Sequence, residues 1–221
     1  MDTLTSRYLP ASFGIIILYS ENKFTSMSPP YIVGIGGTSR SNSTSELALR
    51  YVLEVAAGAG ARTALIAGPA LQVGMYEPGS LERSEGAHHL VRQMALADGL
   101  VLVSPGYHGG ISGLVKNALD YAEDLREDPR PYFTGRAVGS IAVASGYQAA
   151  VTTLGALRNV VHALRGWPTP MGAAINSSEG PVFAPDGSCQ FKRVAQMLEI
   201  IAEEIFEFAV SQGPHHSRTS S

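Results

Sequence analysis

The sequence predicts an α/β protein with a doubly wound, five-stranded parallel sheet of order 2-1-3-4-5 between two layers of helices. Short apolar runs alternate regularly with longer amphipathic stretches along the chain. The run 99–103, Gly-Leu-Val-Leu-Val, is too continuously apolar to have one face in water, which is typical of a central strand. Short connections and right-handed crossovers leave this strand order as the simplest solution.

Each strand is predicted from an apolar run, and the first run, Tyr31 to Ile35, ends at glycines and a polar turn. The predicted strands are 31–35, 62–67, 99–103, 137–144 and 168–175. Helices are predicted where apolar residues recur at three- and four-residue spacing, such as Leu47, Val52 and Val55. The predicted helices are 46–57, 81–97, 112–125, 149–164 and 191–210.

Length and composition indicate the class of protein and of partner. With 221 residues and 45% hydrophobic content, the chain can bury one substantial core. Only 16% of residues are charged, which favours a homo-oligomer whose surface is partly covered by another subunit. A net charge of -3 argues against nucleic acid as a partner. The ligand is therefore expected to be a small molecule.

Location and domain limits follow from the cysteine count and from the two ends of the chain. A single cysteine, Cys189, excludes an internal disulfide framework and a multi-cysteine metal site, and it fits the reducing cytoplasm. The apolar run 13–19 is too short to span a membrane, so no membrane association is expected.

Residues 1–30 are interpreted as an N-terminal extension, 31–212 as the single domain and 213–221 as a disordered tail. An alternative is that 13–19 adds an edge strand or packs on a partner subunit.

The loop after the first strand predicts an anion site. Thr38, Ser43, Thr44 and Ser45 offer hydroxyl groups, and Arg40 supplies a positive charge beside the start of a helix. Unpaired helix amides together with such side chains bind phosphate well, so a phosphomonoester is the expected ligand. The alternative is that Ser43 or Ser45 merely caps the helix.

A dinucleotide site in this loop is excluded by its residues. Gly34-x-Gly36 begins like the G-x-G-x-x-G fingerprint, but Ser39 stands at the third glycine position. The second strand also ends without the carboxylate that a ribose requires, since residues 65–69 read Leu-Ile-Ala-Gly-Pro.

Two further loops fall on the same rim of the predicted sheet. In the first, Pro105, Gly106, Tyr107, His108 and Gly109 allow close backbone approach to one edge of a planar heterocycle. In the second, Ser145 and Gly146 either close over a ring or form an ordinary strand-to-helix turn. Lys116 and Asp120, four residues apart, are interpreted as a surface pair or a subunit contact, and Asn117 is interpreted as structural.

These residues closely resemble the NAD(P)H-dependent FMN reductase family of flavodoxin-like proteins. The family's phosphate loop is matched by residues 37–43, Gly-Thr-Ser-Arg-Ser-Asn-Ser, with Thr38 in place of the usual Ser. Its second signature, Pro-x-Tyr-(Asn/His)-Gly-x-x-x-Gly-x-Leu-Lys-Asn-Ala-(Ile/Leu)-Asp, is matched by residues 105–120, with Val115 in place of Leu. Gly106 and His108 stand where relatives often carry bulkier or amide residues, and the resemblance covers about residues 31–210.

The resemblance implies a site for each end of FMN. Thr38, Arg40, Ser43 and Ser45 would hold the phosphate. The isoalloxazine would be framed by Pro105, Gly106, Tyr107, His108 and Gly109. Its other edge would contact Ser145 and Gly146. The resemblance also implies dimers or tetramers in which a neighbouring subunit helps to cover the flavin.

The predicted function is hydride transfer from NADPH or NADH to FMN and onward to a small-molecule acceptor. The flavin is either a prosthetic group or a product released to a partner monooxygenase. No catalytic side chain and no metal are predicted, because the chemistry belongs to the cofactor. The alternatives are a quinone, azo-dye or metal-oxyanion reductase on the same scaffold, and a flavodoxin-type electron carrier without nicotinamide turnover.

Overall fold

A computed structural model describes residues 28–80 and 82–213 of the chain. The predictions for residues 1–27 and 214–221, including the edge strand at 13–19, lie outside these residues. The strands are β1 (Tyr31–Gly36), β2 (Arg62–Ile66), β3 (Gly99–Tyr107), β4 (Gly110–Ile111), β5 (Ala137–Ala144) and β6 (Trp167–Asn176). The helices are α1 (Thr44–Gly58), α2 (Glu85–Leu96), α3 (Gly113–Asp120), α4 (Tyr147–Ala163) and α5 (Lys192–Gln212).

The strands form one sheet of order β2-β1-β3-β5-β6, and every neighbouring pair in this path is parallel. The five long strands therefore follow the predicted order 2-1-3-4-5. The two-residue β4, which the sequence analysis did not predict, pairs antiparallel with the end of β3. In such a sheet the loops at the carboxyl ends of the strands form the ligand-binding rim.

Helices cover both faces of the sheet, as predicted. The side chains of Ile32 and Val101 pack with α1 and α5, while those of Val33, Leu100 and Leu102 pack with α2, α3 and α4. Because successive side chains of a strand point to opposite faces, a continuous apolar run such as β3 supplies both layers at once. This explains why residues 99–103 have no polar position.

Helix α5 packs directly against the backbone of the middle strands of the sheet. A Cβ atom at Gly99 would lie 2.4 Å from Ile205 Cγ2, and one at Gly139 would lie 2.4 Å from Ile201 Cγ2. Glycine at these two strand positions lets the bulky isoleucines of α5 contact the backbone directly. No helix in the described part of the chain is long and apolar enough to cross a membrane.

Three elements differ from their predicted bounds by more than two residues. β3 continues to Tyr107 instead of ending at Val103, because Gly106 and Tyr107 pair with β4. The predicted helix 112–125 ends at Asp120 and tightens into a 3-10 helix over Tyr121–Leu125. Helix α2 begins at Glu85, four residues later than predicted, because the Ser84 hydroxyl caps it by accepting from the Ala87 N–H.

We expect Gly139→Ala and Gly155→Ala to have opposite effects on stability. The first adds a methyl group 2.4 Å from Ile201, and such overpacking costs about 1–3 kcal/mol. The second lies in α4 with no heavy atom within 4 Å of the added carbon, so the gain in helix propensity stabilises by roughly 0.5–1 kcal/mol. Urea unfolding measures both values. Equal stability of the two variants would contradict the packing described for α5.

Candidate functional site

The two loops that carry the sequence signatures leave neighbouring strands at paired positions. Gly36, the last residue of β1, lies opposite Val103 of β3, and the Gly37 N–H donates a 3.0 Å hydrogen bond to the Val103 carbonyl. Adjacent strands are about 4.8 Å apart. The loop at 37–43 and the segment at 104–109 therefore begin side by side on the rim.

Gly36 and Gly37 make this junction possible. Their φ angles are +141° and +104°, a region that side chains disfavour. A Cβ atom at Gly36 would lie 1.9 Å from the Val103 carbonyl oxygen, which no side chain can tolerate. The glycines at the end of β1 thus determine how closely the first loop approaches β3.

Local hydrogen bonds shape the first loop. The Arg40 N–H donates to Thr38 Oγ1 over 3.1 Å, and the Thr38 hydroxyl lies 3.1 Å from the Arg40 carbonyl. Ser43 is the N-cap of α1, and its Oγ accepts from the Glu46 N–H over 3.3 Å. Capping by Ser43, the alternative weighed for this loop, is therefore observed. Thr44 is half-buried and Ser45 is buried at the start of the helix.

The first loop offers positive charge and free donors. The exposed Arg40 guanidinium has no hydrogen-bond or ion-pair partner among the described residues. As first-turn residues, Thr44 and Ser45 have backbone N–H groups with no acceptor inside their own helix. The buried carboxylate nearby, on Glu46, is paired with Arg50. The donor set therefore fits a phosphate group.

The second loop is a tight hairpin. Tyr107 pairs with Gly110, which leaves His108 and Gly109 as a two-residue turn with φ angles of +52° and +79°. Positive φ at both central residues is the type I′ pattern, which suits the twist of antiparallel strands. Pro105 is buried, Tyr107 is 56% exposed and His108 is exposed, so the turn presents its aromatic side chains to solvent.

Two serines hold this hairpin in place. The buried Ser104 hydroxyl accepts from the Ser112 N–H over 2.9 Å and donates to the Pro105 carbonyl over 2.8 Å. The Ser112 Oγ caps α3 by accepting from the Val115 N–H. The hairpin is consequently fixed at its base on both sides, while its tip remains open.

Gly106 contacts α4, a feature that sequence reasoning missed. A Cβ atom there would lie 2.7 Å from Thr153 Oγ1, 3.0 Å from Ala144 Cβ and 3.2 Å from the Ala149 carbonyl oxygen. Thr153 is fully buried, and its hydroxyl has no hydrogen-bond partner in the described part of the chain. The glycine at 106 was the signal in the sequence, because glycine allows close approach of a neighbouring element, but it did not identify Thr153.

The third loop ends at the start of α4. Gly146, with φ of +131°, is the N-cap residue and supplies no side-chain acceptor, while Ser145 is exposed. Ser145 therefore does not cap the helix, and the amides of the first turn remain available. Tyr147 beside them is 51% exposed, and a hydrogen bond with Glu179 is the main cause that raises the pKa of its hydroxyl.

Asn117 is structural, as predicted. Its Oδ1 accepts from the Tyr76 N–H over 2.8 Å, and its Nδ2 donates to the Gly74 carbonyl. These bonds tie the segment after β2 to α3. Lys116 and Asp120 form the predicted ion pair, with both side chains about half exposed. Among residues 28–80 and 82–213, no three His, Cys, Asp or Glu side chains are arranged to hold a metal ion.

Comparison with known proteins identifies the family. The model of the NADPH-dependent FMN reductase family matches residues 30–180, about two thirds of the chain. The chain belongs to this family. Membership confirms the family predicted from the two motifs. The description of this family agrees with the predicted enzyme class, an oxidoreductase, and with the predicted cofactors, FMN and a reduced nicotinamide.

Individual relatives show how far the similarity extends. An FMN-dependent NADPH-azoreductase of Staphylococcus aureus is 35% identical over 98 residues, which cover 44% of this chain and 48% of that protein. The chain thus matches about half the length of its curated relatives.

Solved structures show the fold. FerB, a flavoenzyme NAD(P)H:(acceptor) oxidoreductase from Paracoccus denitrificans, aligns with a TM-score of 0.69 at 19% identity, over 83% of this chain and 99% of that one. A flavodoxin, WrbA-like protein from Agrobacterium tumefaciens aligns with a TM-score of 0.56 at 14% identity, over 84% and 99%. The predicted flavodoxin-like fold is confirmed.

We expect Gly106→Ala to destabilise the protein by about 1–3 kcal/mol, because the new carbon would overlap Thr153 Oγ1. Gly110→Ala is the matched control, since it lies in the same hairpin with no heavy atom within 4 Å of the added carbon. Adding Thr153→Ala to Gly106→Ala should recover part of the loss in urea unfolding. Equal stability of the two glycine variants would show that α4 does not press on β3.

Proposed function

We propose that the protein is an NAD(P)H-dependent FMN reductase that passes hydride from reduced nicotinamide to FMN and then to a small-molecule acceptor. The observation that carries this proposal is the pairing of Gly36 with Val103, from which the two signature loops begin side by side. One loop offers donors for a phosphate and the other an open aromatic turn. A mononucleotide with a planar ring has the shape that these two loops require.

At the phosphate end, we assign the contacts to Thr38, Arg40, Ser43, Thr44 and Ser45. The unpaired Arg40 guanidinium supplies charge, and the first-turn amides of α1 supply directed donors. The Ser43 hydroxyl already accepts from the Glu46 N–H, so its own hydrogen is free to be donated to a ligand.

At the ring end, Pro105, Gly106, Tyr107, His108 and Gly109 frame the isoalloxazine. The hairpin backbone can approach the ring closely because two of these residues are glycines and a third, His108, adopts positive φ. Ser145 and Gly146 contact the opposite edge, where the uncapped amides of α4 stabilise negative charge on the ring.

The bound flavin supplies the hydride chemistry, and the chain supplies position and electrostatics. Tyr107, which is 56% exposed, would shield the bound ring, and the open side of the hairpin would admit nicotinamide and acceptor in turn. His108 is exposed at the tip of the turn, without a partner that would orient it as a base among the described residues. No side chain is required to transfer a proton in the hydride step.

Two kinds of electron acceptor are candidates for this protein. An azo compound is the second candidate acceptor, because a relative 35% identical over 98 residues is an azoreductase. A monooxygenase that receives reduced flavin is the other candidate acceptor.

The exposed rim supports an oligomer. Tyr107, Tyr147 and Val151 are exposed there, and the charge content is low, which supports a homodimer or homotetramer in which a neighbouring subunit covers the flavin. The single cysteine supports a cytoplasmic location.

A flavodoxin-type electron carrier is less well supported. Such carriers are typically strongly acidic and bind phosphate through a hydroxyl loop without arginine. This chain has a net charge of only -3 and carries Arg40 in the loop.

The direct test of function is the visible spectrum of the purified protein, together with NADPH and NADH oxidation with and without added FMN. We expect oxidation that depends on flavin. A yellow protein that oxidises nicotinamide anaerobically until its own flavin is reduced holds FMN as a prosthetic group. A colourless protein that reduces free FMN releases its product. No nicotinamide oxidation in the presence of FMN would contradict the proposal.

Replacing Arg40 should weaken FMN binding through the phosphate alone. We expect Arg40→Met to raise the dissociation constant for FMN about tenfold, the value of one charge-assisted contact of roughly 1.4 kcal/mol, and to leave riboflavin unchanged. Flavin fluorescence titration measures both ligands. Arg126→Met, an exposed arginine outside the loop, is the control. Equal losses of affinity for FMN and for riboflavin would show that Arg40 does not contact the phosphate.

Tyr107→Phe and His108→Ala should each retain nicotinamide oxidation within about tenfold of the wild-type rate at saturating FMN, because the cofactor carries the reaction. Stopped-flow reduction of the bound flavin measures the step itself. If either variant bound FMN and folded normally but had no turnover, that side chain would be catalytic and the mechanism would be wrong.

A further inference from the structure

Glu46 is a charged residue buried at the start of α1. It is the third residue of the helix, and its side chain is 3% exposed. A buried carboxylate is costly unless it is paired and hydrogen-bonded. No step proposed above uses it, so its presence beside the phosphate loop calls for a physical reason.

Both carboxylate oxygens of Glu46 have partners. Oε2 accepts from the backbone N–H of Asn42 over 3.2 Å. Oε1 accepts from Arg50 Nη2 over 2.7 Å and from Arg50 Nε over 3.0 Å. In the usual capping box the glutamate reaches back to the N-cap amide, which here would be Ser43. Glu46 instead reaches one residue further, into the phosphate loop.

The bond to Asn42 holds the loop at a residue with left-handed backbone conformation. Asn42 has a φ of +59°, in the left-handed region, where asparagine is tolerated but not favoured over extended backbone. It lies between Arg40 and Ser43, two of the residues assigned to the phosphate. An acceptor fixed beneath its N–H therefore sets the direction in which the chain passes from Arg40 to the helix.

Glu46 also lies close to the beginning of this loop and to the turn that follows β2. A Cβ atom at Gly37 would lie 3.7 Å from Glu46 Cβ, and one at Gly68, after β2, would lie 3.6 Å from Glu46 Oε2. The side chain is thus enclosed by the beginning of the phosphate loop, its end and the neighbouring turn. Its position is determined by three separate parts of the chain.

We propose that Glu46 is a positioning residue that holds the phosphate loop in its binding conformation, through the geometry of its acceptor and not through its charge. The proposal rests on the proposed function. Arg50 neutralises the carboxylate, so a bound phosphate meets no net negative charge behind the loop. What the pair contributes is an acceptor for Asn42 at the correct distance.

Three substitutions separate geometry from charge. Glu46→Gln keeps the length and an acceptor oxygen but loses the charge, and the 47% exposed Arg50 side chain can turn into solvent. Glu46→Asp keeps the charge but is one methylene too short to reach both Asn42 and Arg50. Glu46→Ala loses both features. The readout is the ratio of FMN to riboflavin affinity, which isolates the phosphate because the two ligands share the ring.

We expect Glu46→Gln to keep the wild-type ratio within about threefold, whereas Glu46→Asp and Glu46→Ala lower it roughly tenfold, the effect of one disrupted hydrogen bond. Glu54→Ala, at an exposed position on the same helix, is the control and should keep the ratio. Fluorescence titration gives the ratio, and circular dichroism melting verifies folding. Should Glu46→Ala not fold, the contrast between Gln and Asp decides.

Retention of the ratio by Glu46→Asp with loss in Glu46→Gln would make the charge decisive and overturn the proposal. If both Glu46→Asp and Glu46→Ala kept the wild-type ratio, the proposal would be overturned as well, since the loop would not need the acceptor. A wild-type protein that binds FMN no better than riboflavin would instead overturn the phosphate site itself, which distinguishes failure of the proposed function from failure of this inference.

Discussion

The contact between Gly36 and Val103 is the constraint on which the binding rim depends. Two parallel strands meet there so closely that a single β-carbon would strike a carbonyl oxygen at 1.9 Å. Because β1 and β3 are hydrogen-bonded neighbours, the loops that follow them cannot separate without breaking the centre of the sheet. A cationic loop and an aromatic turn are thereby brought together by backbone packing.

The loops themselves are also held by contacts to the backbone. Ser43, Ser104 and Ser112 each use a hydroxyl to hold a backbone amide, and Glu46 and Asn117 hold others. These bonds stabilise the loop conformations without using Arg40 or Tyr107, which remain accessible. A site of this kind is shaped before the ligand arrives, so less conformational entropy is lost on binding.

The sheet and its rim could be predicted from the sequence because their signals are local. Apolar runs, glycines after a strand and a serine before a helix each act within a few residues, and β5 spans the predicted residues 137–144. The extension of β3 to Tyr107 was missed because β4 has only two residues and no periodicity. Ser145 lies directly before the cap position, which Gly146 occupies, as in the ordinary strand-to-helix turn that the sequence left open.

Contacts between elements distant in sequence could not be predicted. The approach of Thr153 to Gly106 depends on how α4 lies across β3, which is set by the packing of the whole layer. The role of Glu46 has the same origin, since a glutamate in the first turn of a helix is ordinarily explained by the helix dipole. The burial of Glu46 beside Gly37 and Gly68 depends on the tertiary structure, which brings the phosphate loop and the turn after β2 together.

The central claim is that the two adjacent loops hold opposite ends of one mononucleotide. A crystal structure of the protein soaked with FMN tests it most directly. We expect the phosphate to lie within hydrogen-bonding distance of Arg40 and the first-turn amides of α1, and the ring to lie against the Tyr107 hairpin. A flavin bound elsewhere, or bound with its phosphate away from Arg40, would contradict it.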